Sequence, residues 1–142
     1  MSRKPRKPRR SREDMTTRSQ VNRDMNPATF TLRRKVISII FEAKNLLREQ
    51  NVEMDRVDIR ITDSKEHQTL GVARMNDRIM WIPADSITNL TGLELRHVVF
   101  HELCHALFGT KHDELCMLMS RVLRKTTRKD QNNAFLTNAI IR

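Results

Sequence analysis

Between Thr91 and Gly109 the chain holds a helix start, an apolar-rich stretch and a helix stop, with three histidines and two glutamates set among the apolar residues. Thr91 followed three positions later by Glu94 is a capping box, in which each residue satisfies a free backbone N–H of the other. Gly109 at the far end permits the left-handed turn that closes a helix after Phe108. Projected at about 100° per residue, Leu93, Phe100, Cys104 and Leu107 fall on one side, while Leu95, Val99 and Ala106 occupy the far side. A helix apolar over so much of its circumference belongs in the interior. The stretch therefore predicts a central, buried helix over Leu93 to Phe108. Histidine and glutamate side chains are expensive to bury in such a place unless they hold a ligand or are hydrogen-bonded.

The polar residues of this stretch include His101-Glu102-Leu103-Cys104-His105, an HExxH pattern. Residues four apart on a helix differ by about 40° around the axis, so both imidazoles project together and can bind one zinc ion. Glu102 points to the side of the pair. There it can accept a proton from metal-activated water and pass it to a leaving amine. His112 follows beyond the glycine turn and can return as a third ligand. Asp113 can orient His112 or replace it as the ligand. His97 precedes His101 by one turn, but the directions of His97, His101 and His105 span about 80°, too wide for one ion to meet all three from a straight helix. His97 is read as a supporting or core histidine. Cys104 points to the apolar side and is read as a buried thiol. His67 lies in a loop with no evident partner.

Asn26-Pro27 reads as a helix N-cap followed by proline at the first helical position. A scaffold helix is predicted from there to about Gln50, with Phe30, Val36, Ile37, Ile40, Phe41, Ala43 and Leu47 recurring at helical spacing. Val57, Ile59 and Ile61 alternate with polar residues as in a half-buried strand. Leu70 to Met75 and Arg78 to Ile82 read as two further strands joined at Asn76-Asp77, a favourable hairpin pair. A last helix is predicted over about Asp113 to Lys125, with Leu115, Leu118, Met119 and Val122 inward, followed by a weakly patterned tail.

HELCHALFGTKHDEL resembles the active-site stretch of SprT-like and WLM-type (Wss1-like) zinc metallopeptidases, and LGVARMNDRIMWIP resembles the hairpin that precedes it in those domains. WLM-type domains usually have one residue fewer between the glycine and the last histidine, where this chain has Thr110 and Lys111, so His112 and Asp113 stay open as alternatives. The resemblance implies an α+β, zincin-like fold. Its parts would be an N-terminal scaffold helix, a small three-stranded, mainly antiparallel sheet, an HExxH active-site helix and a following C-terminal helix. It implies one zinc ion per chain, peptide-bond hydrolysis as the activity and a protein as substrate. In this kind of fold the last strand, Arg78, Ile79, Met80, Trp81 and Ile82, is expected to be an exposed edge beside the cleft, where a substrate chain can add as an extra strand. Trp81 is more readily explained as core.

Residues 1–25 carry Arg3, Lys4, Arg6, Lys7, Arg9, Arg10 and Arg12 with Pro5 and Pro8 and almost nothing to bury, the composition of a disordered basic arm. Residues 26–126 then form the domain and 127–142 the tail. The net charge of +10 and pI near 10.6 favour polyanionic partners, and the arm is read as a nucleic-acid contact. That agrees with the resemblance, since members of those families act on proteins crosslinked to or bound on DNA. The longest apolar run, Val36 to Phe41, is broken by Ser38 and far too short to cross a bilayer, and no secretory signal is visible, so no membrane partner is expected. Two cysteines without such a signal are read as reduced thiols in a cytoplasmic, nucleoid or nuclear compartment, and a viral origin stays open. Two rival readings remain. One is a nucleic-acid-binding accessory or structural protein that keeps a zincin fold with little peptidase activity. The other is a YbeY-like zinc ribonuclease, a family that also uses three histidines on a helix and turn but has glycine where this chain has Glu102.

Overall fold

A computed structural model describes residues 27–62, 72–73, 77–84 and 86–141. The basic arm, His67 and most of the Leu70 to Met75 strand lie outside the described residues. Element order is helix α1 (Pro27–Glu49), strands β1 (Asp58–Thr62), β2 (Val72–Ala73) and β3 (Ile79–Pro83), a short helix α2 (Ser86–Asn89), helix α3 (Gly92–Leu103), a π-helical turn (Cys104–Phe108) and helix α4 (Arg128–Ile141). The chain is thus a mixed α+β fold, and no helix among the described residues is long and apolar enough to cross a membrane.

Helix α1 starts with Pro27 in its first turn, where the missing N–H costs nothing. It ends without a glycine. Asn51 takes the left-handed conformation (φ 59°), and the N–H groups of Asn51 and Val52 return to the carbonyls of Arg48 and Leu47, closing the last turn. Leu32, Val36, Ile39, Ala43 and Leu47 form its buried stripe. Phe30, Ile37 and Phe41, expected among the helix's apolar set, face solvent instead. The helix has more apolar residues than one stripe can hold, and Leu32 and Ile39 take the inward positions.

The sheet has the order β1-β3-β2. Its five-residue pairing, β1 with β3 from Asp58↔Ile79 to Thr62↔Pro83, is parallel, whereas β2 pairs antiparallel with β3 through only Val72↔Trp81 and Ala73↔Met80. The expectation of a mainly antiparallel sheet is therefore corrected. So is the expected substrate edge: β3 is the central strand, with Met80 and Ile82 fully buried and Trp81 partly so, and its backbone is shared between two neighbours. Arg78 just precedes β3 with φ 58° and pairs through its guanidinium with Asp55. On the outer side of β1, Arg33 Nη1 of α1 donates to the Ile59 carbonyl at 2.9 Å.

Helix α3 is the centre of the molecule. The Thr91–Glu94 capping box forms as expected, with bonds of 2.9 and 3.1 Å, and Leu95, Val98, Val99, Phe100 and Leu103 are buried. Burial of each such side chain stabilises the fold by roughly 1.5–3 kcal/mol. Arg96 is buried with them. Its guanidinium lies over the Phe100 ring, 4.4 Å from the centroid, and donates to Glu42 of α1 and to Gln131 and Asn132 of α4 at 2.7 to 2.9 Å. Burial pushes the Glu42 carboxyl up, but hydrogen bonds and charge from Arg96 and Arg128 outweigh this and hold it below its ordinary value. One side chain thus ties three helices together.

The C-terminal part departs most from expectation. Asp113 to Lys125 is a chain of turns rather than a helix, and of its expected inward residues only Leu118 and Met119 are buried. The Glu114 carboxylate accepts from Ser120 Oγ (2.7 Å) and the Arg121 N–H (3.3 Å), and the Asp113 N–H donates to the Met119 carbonyl, so local bonds replace a helical ladder. The segment expected as a tail is instead helix α4. Its Phe135 packs on Phe100 (centroids 4.8 Å apart) and Phe108 (5.6 Å).

Candidate metal centre

His101 lies in the last turn of α3 and His105 sits in the π-helical turn. The wider turn carries one residue more than an α-helical turn would and ends at Gly109, which is left-handed (φ 65°). Beyond it the chain doubles back. Thr110 presents its carbonyl to His105 Nδ1 at 2.5 Å, and the Leu118 carbonyl in the later turns meets His101 Nδ1 at 2.7 Å. A carbonyl only accepts, so each Nδ1 carries the proton and each neutral ring turns an unprotonated Nε2 the other way.

The two Nε2 atoms stand 3.2 Å apart. Neither has a proton for the other, so two lone pairs converge on one region. Two nitrogens on one zinc ion at about 2.0–2.1 Å, with a tetrahedral angle, lie roughly 3.3–3.4 Å apart, close to this spacing. His112 closes a third side: its ring centroid is 5.2 Å from that of His101 and 4.8 Å from that of His105. One ligand atom from each of the three residues lies within 4.8 Å of the others. These three histidines could hold a metal ion.

Glu102 is 5% exposed, with Oε2 3.9 Å from His101 Nε2. Burial alone drives its carboxyl up to about 8. Burial likewise pulls His101 down to about 4, with the Leu118 carbonyl opposing and the neighbouring histidines assisting, and lowers His105 against the Thr110 carbonyl. Near neutral pH the rings are uncharged, the state required of metal ligands.

The other candidates take different places. Asp113 is neither in the histidine group nor bonded to His112 by its carboxylate, which accepts from the Leu115 N–H at 3.0 Å. The turn after His112 thus uses one oxygen of that carboxylate locally. His97 is buried, with Nδ1 3.0 Å from Thr126 Oγ1, and stands apart from the group. Cys104 is fully buried and its thiol is pushed well up by burial. The contributions that sequence reasoning missed are the carbonyls of Thr110 and Leu118, backbone groups with no signature in residue type. Comparison with family models, curated proteins and solved structures finds no match for this chain.

Proposed function

We propose that this protein is a zinc-dependent endopeptidase whose zinc is held by His101, His105 and His112. What supports the reading above all is the pair of Nε2 lone pairs 3.2 Å apart, each on a ring whose Nδ1 is committed to a carbonyl. Three imidazole nitrogens are a donor set that suits zinc and leaves a fourth position for water and substrate. Zinc bound there supplies Lewis acidity for attack on a peptide carbonyl. Glu102 takes a proton from the attacking water and returns it to the leaving nitrogen. Its carboxylate, with Oε2 3.9 Å from His101 Nε2, stands beside the ligands where both halves of that task take place. The Leu118 and Thr110 carbonyls keep two ligands in the correct tautomer and orientation. A zincin-like fold, and recruitment to nucleic acid by Arg3, Lys4, Arg6, Lys7, Arg9, Arg10 and Arg12, belong to the same proposal.

The test pairs metal analysis of the purified chain with casein cleavage, with and without single-stranded DNA. One zinc per chain is expected, together with cleavage lost on Glu102→Gln and metal lost on His105→Ala. Equal cleavage by wild type and Glu102→Gln would sink the peptidase reading.

A further inference from the structure

Helix α1 presents a second chemistry on the side away from the core. Phe30, Ile37 and Phe41 are 40%, 49% and 59% exposed. Their spacings of seven and four residues place them on one line, roughly 16 Å long at about 1.5 Å per residue. Arg34, Lys44 and Arg48 share that face and are exposed or half-exposed. Each apolar residue has a cation three or four positions away. Arg34 already lies 5.8 Å from the Phe30 ring centroid. No carboxylate among the described residues forms an ion pair with Arg34, Lys44 or Arg48. Of the helix's two acids, Glu42 points to Arg96 and Arg128, and Glu49 lies about 100° around the axis from Phe30.

We infer that this outer face of α1 binds single-stranded nucleic acid, with Phe30 and Phe41 as stacking surfaces for bases and Arg34, Lys44 and Arg48 as phosphate contacts. Alternation of exposed rings with exposed cations is the combination single strands use, since every base has a face to stack and every linkage a charge. A second copy of this chain is a poor occupant, because it brings the same cations to the same line within a molecule of net charge +10. Duplex is a poorer fit as well, for its bases are already stacked. The inference does not rest on the metal centre, and it places binding on the folded body, separate from the basic arm.

The experiment measures binding of a fluorescent oligothymidylate to the full-length protein by anisotropy at several salt concentrations. Phe30→Ala and Phe41→Ala each weaken binding roughly tenfold with the salt dependence unchanged. Arg34→Gln and Lys44→Gln each reduce the salt slope by about 1. These side chains face solvent, so circular dichroism melts should match wild type. Photocrosslinking of a bromouracil-substituted strand should label the α1 peptide. The inference is overturned if the Phe30→Ala/Phe41→Ala protein binds the strand as wild type does. It is equally overturned if the double variant loses only binding to phosphatidylserine vesicles, which would make the face a membrane contact.

Discussion

At the scale of single residues, the protein has placed an acid and several bases where water cannot stabilise their charged forms. The consequence is a pH-dependent stability whose sign can be worked out for the metal-free protein. His97, His101 and His105 have folded values below 6.5, with His101 near 4, so the unfolded chain binds more protons and stability rises as pH climbs from about 4 to 6.5. Glu102 acts oppositely. Its folded value near 8 lies above the ordinary 4.5, the folded chain binds more protons in between, and stability falls over that range. Above about pH 7 these three histidines are largely neutral in both states and Glu102 dominates. Thermal melts of the chelator-treated protein should therefore show a falling limb from about pH 7 to 8, and Glu102→Gln should flatten that limb. A limb that persists in the variant would place the titrating group elsewhere.

At the scale of elements, the ends of α1 and α3 were legible because their signals are local: Pro27 at the start of one, Thr91 and Glu94 at the start of the other, Gly109 after the π-helical turn. The histidine pair was legible for the same reason, since four-residue spacing on a helix fixes direction. Strand order was not. Whether β3 lies at an edge or in the middle is decided by Asp58 to Thr62, some twenty residues away in sequence, and no pattern within β3 states it. The turns after His112 were misread as a helix because Leu115, Leu118, Met119 and Val122 have helical spacing, yet Glu114 and the Leu118 carbonyl make more specific bonds. Helix α4 was missed because its buried face is largely polar, with Gln131 and Asn138 beside Phe135. Gly109 joins the helical histidines to His112, and at φ 65° any side chain is strained. Gly109→Ala should cost about 1 kcal/mol in denaturant unfolding and weaken metal binding, because His112 hangs from that turn. Gly109→Asn should be milder, as asparagine tolerates the left-handed region.

At the scale of the whole molecule, helix α3 is held between α1 and α4, and α4 supplies partners for Arg96 as well as Phe135 for the aromatic cluster. Phe135→Ala should cost about 3–5 kcal/mol, much of the roughly 5–15 kcal/mol that holds a typical domain. A chain ending at residue 127 loses this and also leaves Arg96 buried without Gln131 or Asn132. It should melt without cooperativity and fail to bind metal, whereas a melt like that of the full chain would show α4 to be dispensable. The clasp of Arg33 on β1 has a different kind of consequence. A strand's outer row of peptide groups is an invitation to foreign chains, and here the Ile59 oxygen that would anchor such a visitor is already taken by a cation, between the exposed Asp58 and Arg60. Even in concentrated solution, this side of the sheet should resist growing into fibres.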